Sequence, residues 1–216
     1  MLGWLGRGDG DGAVTLCAIC NETAADWYAP EFRKWCRAGA KLNDEGPSDA
    51  SLNRSREPSW TSAELREVRP ARFVKQLVTM LLAITSPGFA AEHEALAAFA
   101  EAPGRRGLPE RYQLYLSLYR GPYARFVGYS AQLDAHSGSP VELLELAYPP
   151  YSCVLSLNGE VRIETTNISE FAQLAIDESC IVDLDLLNGF GHTPFPADFR
   201  TLAAVERDRE ADRRAA

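Results

Sequence analysis

Tyr112-Gln113-Leu114-Tyr115-Leu116-Ser117-Leu118-Tyr119 decides the fold class, because its leucines recur at every second position. Side chains of a strand point alternately to its two faces, so Tyr112, Leu114, Leu116 and Leu118 share one face, and Gln113, Tyr115, Ser117 and Tyr119 the other. Upstream the period is different. Phe73, Leu77, Leu81 and Ile84 recur at helical spacing, widened by Val74, Val78 and Met80, and Pro70 suits a first helical turn. Pro87-Gly88 stops that helix. A second helix is predicted from Ala90 to Ala102, with Leu96 and Phe99 in an Ala-rich run, ended by Pro103-Gly104.

Downstream the strand pattern continues. Gly121-Pro122 turns the chain, and Arg125 to Leu133 and Val141 to Ala147 read as strands. Tyr151 to Leu157 and Glu160 to Thr166 flank Asn158-Gly159, a dipeptide that accepts positive φ and so predicts a hairpin. Ser169 to Ala175 reads as a short helix and Cys180 to Leu186 as the last strand. At the other end, residues 1–14 are rich in Gly and Asp and are expected to be poorly ordered. Cys17 to Cys20 is expected as a tight turn. A helix follows from Pro30, carrying Phe32, Trp35 and Cys36 and weakened at Gly39. The class is therefore α+β: a small Cys-bearing knuckle and helices, then a mainly antiparallel sheet with one inserted helix. The expected divisions are residues 1–42 (knuckle-like segment and helix), 43–60 (a polar linker), 61–203 (the α+β domain) and 204–216 (a charged tail).

The 216 residues are 46% hydrophobic and 24% charged, ordinary for a globular chain long enough to bury one sizeable core. A net charge of −8 excludes a broad basic surface while leaving room for a local one. The first residues lack the apolar run of a secretory signal, and the longest apolar stretch, Leu77 to Ile84, is too short to span a bilayer. Five cysteines, an odd count, fit a reducing compartment better than a disulfide framework. A cytoplasmic protein with no membrane contact is expected.

Cys17-Ala18-Ile19-Cys20-Asn21 looks like half of a zinc site. Structural zinc takes four ligands, usually as two such pairs, and the 16 residues before Cys17 contain no Cys or His. Cys36 is either a third ligand or a small buried side chain beside Trp35. Two copies of the chain, each giving Cys17 and Cys20, would supply four thiolates across a two-fold axis, which makes a homodimer a candidate partner. The histidines His93, His136 and His192 are not at ligand spacing. His93, between Glu92 and Glu94, is expected on an exposed helix face. Asp183 and Asp185 lie two apart on one strand face. Paired acids can hold Mg²⁺, but no lysine is near them, and the solvent face opposite Val182 and Leu184 explains them. Arg66, Arg69, Arg72 and Lys75, spaced by three, are expected on one flank of the first long helix as contacts to nucleic-acid phosphate, or as a solvated face. Tyr112, Tyr115, Tyr119, Tyr123 and Tyr129 suit base stacking or strand packing.

Leu16-Cys17-Ala18-Ile19-Cys20-Asn21-Glu22-Thr23-Ala24-Ala25-Asp26-Trp27-Tyr28-Ala29-Pro30-Glu31-Phe32 resembles the second half of the zinc-binding region of bacterial HNH endonuclease-like proteins. Tyr148-Pro149-Pro150-Tyr151 and Pro194-Phe195-Pro196-Ala197-Asp198-Phe199-Arg200 extend the resemblance, in order, over most of the chain. It implies zinc at Cys17 and Cys20, a positioning role for Asn21 in the ββα-metal unit, and DNA as a partner. The family's first Cys pair and the His that activates water have no counterpart here. A truncated or degenerate relative, inactive as a nuclease in this form, is the expected state. A non-enzymatic protein-interaction domain is the alternative.

Overall fold

Two helices open the described chain, three more follow the first strand, and aromatic side chains fix how they meet. The computed structural model describes residues 18–46, 59–86, 88–120, 124–133, 138, 140–160 and 165–189. Helix α1 (Ala18–Trp27) runs almost directly into α2 (Ala29–Glu45), with Pro30 in the first turn of α2. Helix α3 (Pro70–Ala83) buries Phe73, Leu77 and Leu81, the stripe that the spacing predicts. It ends where the Thr85 hydroxyl donates to the Leu82 carbonyl at 2.7 Å. Two short helices, α4 (Phe89–Glu92) and α5 (Glu94–Glu101), follow.

The strands are β1 (Ser59–Val68), β2 (Gln113–Tyr119), β3 (Arg125–Leu133), β4 (Pro140–Tyr148), β5 (Tyr151–Ser156), β6 (Thr166–Asn167) and β7 (Cys180–Gly189), with a 3₁₀ helix at Ser169–Gln173. They form one sheet in the order β1-β7-β2-β5-β4-β3, with β6 also paired to β2. Its pairings are antiparallel except for a short parallel contact of Leu118 with Asn188 and Tyr119 with Gly189. The class is α+β, with a mostly antiparallel sheet. Leu114, Leu116, Leu144, Leu146, Cys153, Leu155, Val182, Leu184 and Leu186 of the sheet join Trp35, Phe73 and Leu77 of α2 and α3 in the main core. Tyr115, Leu143 and Val154 form a smaller buried cluster on the opposite face.

Several expectations change. Cys20 and Asn21 lie in α1, so the expected tight turn is helical from Ala18; Cys17 falls outside the described residues. The polar segment 43–60 includes the last turn of α2 and the start of β1. Only Ser59 and Trp60 of β1 fall in that segment; Thr61 to Val68, where the sequence predicts no element, complete the strand, with Thr61, Ala63, Leu65 and Val68 on its inner side. Asn158-Gly159 does not open a hairpin. Strand β5 is flanked by β2 on one side and β4 on the other, so no edge is left for a following strand. Asn158 instead closes the β4–β5 end, donating to the Pro140 carbonyl at 2.7 Å. The single helix expected over 90–102 breaks at His93, which leaves helical geometry at φ −115° and ψ 48°. The tail at 204–216 and the first residues lie outside the described set.

Gly39 sits inside α2 rather than at its end, and it is there because of space. A Cβ at this position would lie 2.5 Å from Cζ of Tyr151 and 2.8 Å from Cγ of Pro150. Glycine costs a helix interior ~1 kcal/mol against alanine, so on propensity alone Gly39→Ala should stabilise. Overpacking a rigid contact costs ~1–3 kcal/mol, and here the contact wins. In urea denaturation Gly39→Ala is expected to lower the midpoint. Gly104→Ala, where a Cβ meets nothing within 4 Å, should leave it unchanged.

Candidate functional site

Where α2 and α3 part above strands β3, β4 and β5, the core leaves a pocket of about 300 Å³. Helix α2 supplies Phe32 and Cys36, one turn apart, and α3 supplies Leu77 and Met80. Phe126, Leu146 and Cys153 form one row across the sheet, since Phe126 pairs with Leu146 and Leu146 with Cys153. Tyr148 and Tyr151, paired across the β4–β5 end, and Pro149 between them complete the wall. Alternation along β4 and β5 puts these side chains on the helix side.

The pocket's polar atoms are muted. The Tyr151 hydroxyl donates to the Trp35 carbonyl at 2.8 Å, and burial raises its pKa. Burial also pushes the Cys36 thiol up to about 11. The fully buried Cys153 thiol is raised as well, first by desolvation and then by the nearby Glu145 carboxylate. A thiol held protonated is a poor nucleophile and a poor metal ligand. In this environment Cys36 packs as a small hydrophobic side chain, half-buried beside Trp35.

The basic residues do not form the expected flank. Arg66 is on β1, with its Nε donating to Glu64 at 2.5 Å. Arg69 precedes α3, and its backbone N–H donates to Glu31 at 3.0 Å. Arg72 is turned inward, donating to the Ile176 and Trp27 carbonyls at 3.1 Å each and pairing with Asp177. Lys75 is fully buried. Its ammonium donates to the carbonyls of Phe99 and of Ala102 (2.9 Å), lies 3.8 Å from the Phe99 ring centroid, and has its pKa lowered to about 8, mainly by burial. Helical spacing rotates Lys75 onto the Phe73 and Val74 side, where it satisfies the end of α5. It is a structural cation.

His93 is half-buried rather than exposed. Its ring stacks on Phe89 with centroids 4.1 Å apart, and its Nδ1 meets the Tyr112 hydroxyl at 3.0 Å. Burial and then Arg111 hold its pKa below the ordinary value. His136 and His192 lie outside the described residues. Asp183 and Asp185 are exposed, as the alternation predicts, in a shallow groove with Ser62 and Glu64; Ser62 donates to Asp185 at 2.5 Å. Tyr112, Tyr115 and Tyr119 are buried, Tyr129 is 54% exposed, and Tyr123 is outside the described residues.

Residues that the sequence does not single out carry much of the structure's polar chemistry. Glu31 accepts from the Trp35 indole at 3.2 Å as well as from Arg69. Its i, i+4 spacing to Trp35 was the available signal. Buried Glu145 pairs with Arg125 at 3.3 Å, joining adjacent strands, with no local sequence signal. Among the described residues, no three His, Cys, Asp or Glu side chains are grouped to hold a metal ion, and no helix is long and apolar enough to cross a membrane. No family model, curated protein or solved structure matches this chain.

The buried thiols predict a distinct alkaline response. An unfolded chain releases thiol protons near pH 9, whereas the fold keeps that of Cys36 to about 11 and that of Cys153 still higher. Between these limits the native state binds more protons, so stability falls as pH rises. Urea midpoints measured from pH 8 to 10.5 should drop less for the Cys36→Ala/Cys153→Ala double variant than for the wild type. Equal slopes would mean the thiols are not held protonated.

Proposed function

We propose that this chain is a nucleic-acid-associated relative of the HNH endonucleases, and that its described α+β body supports binding rather than cutting. The observation that carries the reading is the meeting of two short stretches 116 residues apart. Phe32, from the Cys17–Phe32 stretch, lines the same pocket as Tyr148, Pro149 and Tyr151, from the Tyr148–Tyr151 stretch. The Tyr151 hydroxyl also bonds the backbone of Trp35, three residues beyond Phe32. Two of the three stretches on which the resemblance rests thus meet at one pocket, as parts of an inherited unit would; the third, residues 194–200, lies outside the described residues.

A basic stripe on α2 supports a nucleic-acid partner. Arg33, Arg37 and Lys41 recur every fourth residue on its exposed side, opposite the buried Trp35. Lys41 also meets Glu45 at 3.7 Å, an exposed pair that holds it only weakly. Three cations at 5–6 Å intervals suit the phosphate backbone. Zinc at Cys17 and Cys20, within one chain or shared between two, belongs to this proposal and is supported by their Cys-x-x-Cys spacing.

A second reading, a non-enzymatic protein-interaction domain, is favoured by Trp60, 47% exposed on the edge strand β1.

Fluorescence anisotropy with a duplex oligonucleotide separates the two. The expected result is binding at low salt that weakens as salt rises, with an Arg33→Glu/Arg37→Glu variant reducing the log–log salt slope by ~2. Absence of binding at low salt would leave the protein-interaction reading. Pure protein given Mg²⁺, Mn²⁺ or Zn²⁺ should not nick plasmid. Cleavage lost in Cys17→Ser would overturn the non-cutting assignment. Zinc content by mass spectrometry, read with the solution mass, is expected at about one per chain, or about half per chain in a dimer. No zinc in protein purified without chelator would remove the metal from the proposal.

A further inference from the structure

We propose that the pocket between α2, α3 and strands β3, β4 and β5 binds a small, uncharged aromatic molecule. This inference does not depend on the nucleic-acid reading. The pocket's volume, about 300 Å³, is at the lower end of cavities that hold ligands and far above the ~30 Å³ share of one water. Water is a poor occupant, because each molecule needs two to four polar partners. The Tyr151 hydroxyl is already committed to Trp35, the two thiols are weak donors, and Tyr148 adds a single further hydroxyl among the lining side chains.

The wall specifies the ligand's chemistry. Phe32, Phe126, Tyr148 and Tyr151 contribute rings, and Cys36, Met80 and Cys153 contribute sulfur. Sulfur and ring edges both favour a polarisable, flat partner over an aliphatic chain. Among the described residues no charged side chain lines the pocket, so an anion or cation entering it would lose hydration without gaining a counter-charge. The pocket is also hard to collapse. Trp35 stacks on Phe73 at 4.0 Å behind the helix wall, and Gly39 brings α2 into contact with Tyr151 and Pro150 at one end.

N-phenyl-1-naphthylamine, which is neutral at pH 7 and fluoresces in apolar surroundings, is the probe. Titration into the 216-residue protein should give a saturable rise with one site per chain. 1-Naphthol should displace the probe, and naphthalene-1-sulfonate, of the same shape but charged, should not. Cys36→Phe, which fills the pocket from α2, should weaken binding by roughly tenfold or more while retaining the wild-type circular dichroism. A non-saturating signal, equal displacement by the sulfonate, or unchanged binding in folded Cys36→Phe would each overturn the proposal. The competition experiment uses wild-type protein, so it decides the matter even if Cys36→Phe fails to fold.

Discussion

Trp35 is the constraint on which the arrangement depends. Its indole stacks on Phe73 with ring centroids 4.0 Å apart and planes within 7°, which locks α2 to α3. Its carbonyl accepts the Tyr151 hydroxyl, which locks α2 to β5, and Phe73 meets Tyr151 edge-on at 5.9 Å. Three elements distant in sequence therefore meet at one fully buried residue. Each aromatic contact adds ~1 kcal/mol beyond area burial, but geometry matters more than the sum. A flat ring between two others permits few helix positions. The pocket, the approach of Gly39 and the direction of Cys36 all follow from the position that remains.

The same packing decides what the charged residues do. Glu31 is on the inner side of α2 because Trp35 is, one turn later. There its carboxylate serves both the indole N–H and the backbone N–H of Arg69 at the entry to α3. Lys75 follows Phe73 and Val74 inward and satisfies the carbonyls of Phe99 and Ala102. A buried ammonium is tolerated when its protons find oxygen acceptors and its stem packs on apolar surface, and here a ring lies beside it as well. A run of basic residues in sequence need not be a basic surface, since helical rotation separates its members.

Elements with a strong period are legible in the sequence. Strand β3 matches its expected limits of Arg125 and Leu133, and α3 holds the predicted Phe73–Leu77–Leu81 stripe. What the sequence hides is set by partners. Strand β1 pairs only with β7 in the sheet order, and the first half of its inner side carries the small Thr61 and Ala63. Asn158-Gly159 has the local chemistry of a hairpin, but β2 and β4 occupy both edges of β5. Gly39 reads as a helix end because the ring requiring its hydrogen side chain is 112 residues away. The candidate site is less legible still. Cys36 reads in the sequence as a third zinc ligand or a small buried side chain, and Phe126, Cys153 and Met80 join it only through the register of three strands and the crossing of two helices.

Helix α2 joins the two proposed surfaces, and its period explains how. Phe32, Trp35, Cys36 and Gly39 point into the core and the pocket, while Arg33, Arg37 and Lys41 point to solvent. A helix this short cannot shift one face and hold the other still. Its inner side is fixed by the Trp35 stack, the Tyr151 hydrogen bond and the contact at Gly39, so the spacing of its outer cations is fixed too. Cations held on a rigid helix meet a regular phosphate backbone with less loss of conformational freedom than cations on a loop. At Phe32 and Cys36 the inner side of α2 faces the pocket. An aromatic guest there would extend the stacked rings from Trp35 and Phe73 toward Phe126, and would stiffen the helix from the side opposite its charges.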